Sequence, residues 1–275
     1  FSSNYYLANE YNPSIIYCHH PEQLLVNNRD IVRKILHTLI DRAEKKGFEN
    51  TDKILCNSEF TSKVIKRTFQ RDSLILFPGV DIDKFSFSNV EDNYILTVNR
   101  IMPGKNLEFA IDIINNITKS GKDIKLIIAG TKQVGFEWYI QSLENKIRKL
   151  KLEKFIEIKV DVPDTDLIEI YKRCMIFLYT PIEEHFGIAP IEAMSCGKPV
   201  VAFSKGGPKE TILNEKTGYI LEDNITLWEE KIINLLEDEE RRKNMGIMAR
   251  ERVVNNFSWN IFTNKLEKCL KELSN

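Results

Sequence analysis

Two glutamates eight positions apart, Glu184 and Glu192, stand in the stretch TPIEEHFGIAPIEAMSCGKPVVAF, residues 180–203. An ionised carboxylate only accepts hydrogen bonds, so a pair of them at a cleft suits the hydroxyls of a sugar or a ribose. A second set of groups is cationic: Arg100 and Lys105 flank a Pro-Gly turn in VNRIMPGKN. A guanidinium grips phosphate oxygens bidentately and an ammonium adds a point charge, a combination that suits a diphosphate. A third feature is the pair His19 and His20 in YCHHPEQ, either of which could donate to a ligand oxygen. Adjacent strand residues point to opposite faces, which argues against a shared metal. Each set also has a plainer reading. Glu192 could serve a helix dipole, Glu184 could be a solvated loop acid, the cations could be surface groups in a turn, and the histidines could be structural.

The elements that must position these residues follow from the pattern of the chain. Short apolar runs alternate with amphipathic stretches, which predicts an α/β fold with parallel strands covered by helices on both faces. Strands are expected at 15–18, 53–57, 74–77, 94–98, 125–129, 155–159, 176–179, 200–203 and 218–221. Helices are expected between them, near 31–46, 58–69 and 137–150 and through the charged C-terminal third. Another starts at a cap on Asn106 and another at a cap on Asp164. The first residues read as a helix end running into a strand.

Pro190 and the stop signal Gly197 with Pro199 place a short helix from about Ala189. Its free amides and positive dipole end would point beyond the strand ends, where α/β sheets bind ligands, with Gly187 permitting close backbone approach. Glu184 then lies in the preceding loop and Glu192 in the first turn. Gly206-Gly207-Pro208, with Lys205, either offers amides to a phosphate or only makes a turn. Phe257 and Trp259 read as packing anchors for a last helix.

Length and charge bound the rest. A chain of 275 residues has room for two modest domains, and 43% hydrophobic with 29% charged residues is a globular balance. Lysine plus arginine (39) nearly equals aspartate plus glutamate (40), so no global field draws the chain to nucleic acid. Five widely spaced cysteines without a CxxC pair fit a reducing cytoplasm, and no apolar run is long enough for a membrane span. The opening at Phe1 leads us to expect further chain upstream; any peripheral membrane contact would run through it. The Pro-Gly and acidic run at 77–93 breaks the rhythm and suggests a domain boundary. The expected division is a partial N-terminal domain at 1–80, a complete domain at 81–256 and a last helix at 257–275.

EEHFGIAPIEAMSCGKPVVAF resembles the E-x7-E signature of glycosyltransferase family 4, which has the GT-B fold. NSEFTSKVIKRTF, LFPGVDIDKF, TVNRIMPGKN, LIIAGT and GGPKETILNEKTGYIL resemble the family in the family's order, and YCHHP resembles the strand end that carries its active-site histidine. The resemblance implies two Rossmann-like domains, the second binding the donor, and a last helix near Trp259 to Leu273 crossing back to the first.

It also implies site roles. Arg100 and Lys105 would hold the donor diphosphate, Glu184 the hydroxyls of the transferred sugar and Glu192 the ribose. The backbone of Phe186, Gly187 and Ile188 would line the sugar and phosphate site, and His19 would face the reacting sugar. The implied reaction moves a hexose of mannose or glucose type, with retention, from a nucleotide-diphosphate sugar to a glycan or lipid-linked acceptor, with neither cofactor nor catalytic metal. YCHHP leans toward users of GDP-mannose, with UDP-sugars as the alternative. The family's Gly-rich loop near the start of its N-terminal domain has no counterpart here, so activity is expected to need upstream residues. The competing reading is a non-catalytic nucleotide-sugar-binding module. A nicotinamide dehydrogenase is disfavoured because no GxGxxG follows any expected strand.

Overall fold

The computed structural model describes residues 13–21 and 42–274. Residues 1–12 and the first part of the helix expected at 31–46 lie outside the described residues, while 42–50 are helical. The chain forms two compact units, one from Phe1–Pro78 with Asn260–Asn275 and the other from Gly79–Trp259.

In the first unit, β1 (Ile15–Cys18), β2 (Lys53–Cys56) and β3 (Leu74–Ile75) form a parallel sheet in that order. Helix α1 (Glu59–Phe69) follows β2, and Ser58 caps it by accepting from the Thr61 amide. Ile16, Cys18, Ile54, Cys56, Ile65, Phe48 and Phe69 make the core, with the last two rings stacked at 4.0 Å. Arg71 donates to the Phe48, Glu49 and Thr51 carbonyls at 2.5–2.6 Å, satisfying acceptors that the end of the 42–50 helix leaves open.

The second unit carries a six-stranded parallel sheet: β4 (Tyr94–Val98), β5 (Lys125–Gly130), β6 (Ile156–Val160), β7 (Ile176–Tyr179), β8 (Val200–Phe203) and β9 (Gly218–Leu221). Between them run α2 (Leu107–Lys119), α3 (Glu137–Leu150), α4 (Asp164–Arg173), α5 (Ile188–Ser195) and the single turn α6 (Pro208–Thr211). Beyond β9 lie α7 (Ile225–Glu237), α8 (Glu239–Asn256) and α9 (Trp259–Ser274). The order β6-β5-β4-β7-β8-β9 means that the chain builds outward from β4 in one direction, then returns beside β4 and builds outward in the other. The point of reversal, between β4 and β7, is where an open α/β sheet leaves a crevice at its carboxyl end.

All nine expected strands are present. Burial on both faces explains why β7 and β8 read as unbroken apolar runs, and β4 as one interrupted only by Thr97, instead of alternating patterns. Two expected helix caps differ in the structure. Asp164 is not the cap of α4: Pro163 stands there, and Asp164 lies in the first turn, ion-paired to Lys84 at 3.0 Å. Asn106 precedes α2 but makes no side-chain cap, because its backbone is left-handed (φ 52°) and its amide is used elsewhere.

Residues 260–274 of α9 belong to the first unit, where Glu272 pairs with Lys53 at 2.8 Å and Phe262 meets the Tyr17 ring edge-on at 5.7 Å. No helix among the described residues is long and apolar enough to cross a membrane.

One buried charge closes the helical layer behind α5. Arg242 on α8 is 3% exposed; its Nη2 donates to Glu91 at 2.8 Å and its Nη1 to the Leu235 carbonyl at 2.6 Å. It serves an acid and the open end of α7 together. Arg242→Ala should therefore destabilise the second unit by about 3–5 kcal/mol, since Glu91 loses its counter-charge. All three tryptophans lie in this unit, so a denaturant titration followed by their fluorescence checks the value.

Candidate functional site

The chain leaves β4 through Asn99 and Arg100 and makes a 3-10 turn at Pro103–Lys105. It leaves β7 at Thr180 and runs through Glu184 into α5. Because β4 and β7 are paired neighbours, these two exits lie side by side at the reversal point. They are tied together: the buried Thr180 hydroxyl donates to the Lys105 carbonyl at 3.0 Å, and the Asn106 side-chain amide donates to the Thr180 carbonyl at 3.3 Å. Asn106 tolerates the left-handed backbone this requires better than a branched residue would.

The tie brings the expected charges together. The Lys105 ammonium is ion-paired to Glu184 Oε2, and the Tyr179 phenol donates to the same oxygen at 3.2 Å. Burial would raise the Glu184 pKa, but the Lys105 charge and the hydrogen bonds from Lys105 and Tyr179 outweigh it and hold the carboxyl below the ordinary glutamate value. Arg100 is exposed and makes no side-chain hydrogen bond or ion pair among the described residues, which leaves its guanidinium available to an anion.

Helix α5 begins at Ile188, one residue earlier than expected, because Gly187 takes a positive φ of 85° that turns the chain sharply into it. Glu192 is therefore the fifth helical residue and not in the first turn. That also removes its reading as a dipole partner, since the effect fades beyond the first turn. Instead the Tyr171 phenol, on α4, donates to Glu192 Oε2 at 2.8 Å. Burial raises the Glu192 pKa, and the Tyr171 hydrogen bond and the Lys84 charge offset this only in part. The two acids thus have opposite electrostatic settings: Glu184 is held firmly ionised, Glu192 less so.

The loop before α5 is fixed from the other side. The Gly207 amide donates to the Glu184 carbonyl at 2.7 Å, and a Cβ on Gly206 or Gly207 would sit 2.3 Å from the Glu184 oxygen or 2.4 Å from the Phe186 Cα. The Gly-Gly pair thus serves close backbone packing. Phe186 is buried and meets Phe257 edge-on at 6.1 Å, whereas Trp259 is half exposed. Ile188 opens the helix with an exposed side chain.

His19 belongs to the first unit, just past β1. Its carbonyl accepts from Asn57 Nδ2 at 2.8 Å and its ring meets Tyr17 edge-on at 4.6 Å. Partial desolvation lowers its pKa and favours the neutral imidazole.

The structure thus groups Lys105, Glu184, Gly187 and the start of α5 at one sheet end, with Arg100 on the same β4 exit. Sequence reasoning missed Tyr171, Tyr179 and Thr180, whose positions in a helix and at a strand end read as core. A cavity of about 640 Å3 opens at the opposite end, by the amino ends of β4, β5 and β6, and contains none of the candidate residues.

Comparison with known proteins gives the family and the fold. Residues 81–252 match the glycosyl transferases of group 1. The alpha-1,3/1,6-mannosyltransferase ALG2 of Dictyostelium discoideum is 29% identical, over 94% of this chain and 70% of its own length. Among solved structures, sucrose-phosphate synthase from Thermosynechococcus elongatus superposes with a TM-score of 0.82 at 20% identity, covering 97% of this chain and 69% of that one. Anabaena Alr3699/HepE in complex with UDP-glucose gives 0.79 at 18% identity, covering 94% and 72%. These two likenesses concern the fold, which is that of the GT-B glycosyltransferases. The family match spans the whole crevice from the segment before β4 to α8, and by it this chain belongs to the group 1 glycosyl transferases.

Proposed function

We propose that this chain binds a nucleotide-diphosphate hexose at the β4–β7 crevice and serves its transfer, with retention, to a lipid-linked or glycan acceptor. The observation that carries the reading is the Lys105–Glu184 ion pair on two tied loops, with the Arg100 guanidinium, unpaired among the described residues, on the same strand exit as Lys105. A mannosyl donor is favoured by the relative named as a mannosyltransferase, and a nucleotide diphosphate by the UDP-glucose bound to the structural neighbour.

In this reading the C1–O bond to the diphosphate breaks and a bond from C1 to the acceptor oxygen forms on the same face. The acceptor proton passes to the departing phosphate oxygen. The hard part is the negative charge gathering on that leaving group. Fixed cations answer it because they need no reorganisation when the charge appears. Arg100 and Lys105 supply them, and the amides at the start of α5 add partial positive charge. Glu184, kept ionised, accepts from hydroxyls of the transferred sugar, and Glu192 from the ribose. The resemblance gives His19 to the reacting sugar, and a neutral imidazole can both donate and accept there.

Arg100→Ala and Lys105→Ala should each lower transfer by about 10² or more, as expected for loss of a preorganised charge partner. Turnover equal to wild type in both, measured on the full-length enzyme, would end this reading.

A second expectation concerns stability. The folded pKa of Glu192 lies above its unfolded value, so the native state binds the extra proton, and stability falls as pH rises through that interval. Glu192→Gln removes the half-buried charge and keeps an acceptor for Tyr171. Its melting temperature should exceed wild type at neutral pH, and the advantage should shrink as pH falls toward the ordinary glutamate value of about 4.3. Thermal melts across that range check it, alongside a fall in nucleotide affinity.

A further inference from the structure

The two phenols that hold the two carboxylates are themselves eight residues apart, as the carboxylates are: Tyr171 to Glu192 and Tyr179 to Glu184. Phe177 lies between them. Its ring stacks on Tyr171 at 5.5 Å and on Tyr179 at 6.3 Å, both at 22°. Phe85 also meets the Tyr171 ring edge-on at 5.5 Å. Tyr171 and Phe177 are wholly buried and Tyr179 is 3% exposed. Burial also pushes both phenol pKa values well up, so the hydroxyls stay protonated donors.

We propose that Tyr171 is a positioning residue for nucleotide recognition: its phenol, fixed by this stack, occupies one oxygen of Glu192 and orients the carboxylate so that the other accepts from the ribose hydroxyls. This rests on the ribose role given to Glu192 above. The physical reason is torsional. The last torsion of a glutamate is broad and twofold, so an unanchored carboxylate would have to be ordered by the ligand at a cost in affinity. A phenol in a packed stack removes that freedom before the ligand arrives. The surrounding charges cannot do this: Lys84, already paired with Asp164, acts on Glu192 only through its field.

Tyr171→Phe keeps the ring and the stack and deletes only the donor. Titration calorimetry on the full chain would use GDP and UDP, each paired with its 2′,3′-dideoxy form, which lacks the ribose hydroxyls. The expected result is about tenfold weaker binding of the nucleotide that wild type prefers, the size of a lost hydrogen bond to a charged group. The dideoxy form should bind wild type and variant alike. In turnover, the donor KM should rise while kcat stays unchanged. Equal affinity of wild type and Tyr171→Phe for the hydroxylated nucleotide would overturn the proposal, as would an equal loss for both forms, which would mark a merely structural role. Glu192→Ala separates the two levels of inference. If it still distinguishes hydroxylated from dideoxy nucleotide as wild type does, the ribose role itself falls. If it loses that distinction and Tyr171→Phe does not, only the positioning role falls.

Discussion

The site depends on two hydrogen bonds between neighbouring strand exits, from the Thr180 hydroxyl to the Lys105 carbonyl and from the Asn106 amide to the Thr180 carbonyl. Parallel strands fix the spacing of their ends but not the course of the loops beyond. Here the loop after β4 and the loop after β7 are joined at the point where sheet order reverses, so a cation and a carboxylate distant in sequence become partners. The unusual backbone of Asn106 belongs to the same arrangement: its side chain serves the neighbouring loop instead of capping its own helix.

The electrostatics follow from that joint. Glu184 is largely shielded from water, yet Lys105 and Tyr179 keep it ionised. Glu192, with a phenol but no directly paired cation among the described residues, is pushed the other way. A half-buried acid with no salt-bridge partner among the described residues costs stability, which marks Glu192 as a residue whose place the fold alone does not explain. The aromatic stack running from Tyr171 through Phe177 to Tyr179 connects the two acids through rigid core, so both are oriented by packing.

The scaffold behind α5 is built to resist movement. Arg250 on α8 reaches the Ser195 carbonyl at the end of α5 and the Phe85 carbonyl at 2.9 and 3.0 Å. The buried Lys198 ammonium donates to the Ser88 and Val90 carbonyls at 3.2 and 3.0 Å. Both cations bind carbonyls in loop and helix-end segments, which have no ladder partners of their own. They hold the strap before β4 against the helix that carries Glu192, and the family match begins within that strap.

The nine strands are legible in the amino-acid sequence, because runs such as Ile176–Tyr179 and Val200–Phe203 are apolar on both faces and admit little else. It also determined the fold class, the family, and the short helix set by Pro190 and the Gly197 stop, since these rest on local residue types. It identified Glu184, Arg100 and Lys105 as the charges to watch. Folding alone brings Lys105 to Glu184, sets Glu192 past the first turn, and puts Tyr171 and Tyr179 on the two carboxylates. Periodicity shows which residues are buried but not what a buried hydroxyl touches. That depends on which strand exits become neighbours, and β4 and β7, some eighty positions apart in the chain, become so only when the sheet reverses its order.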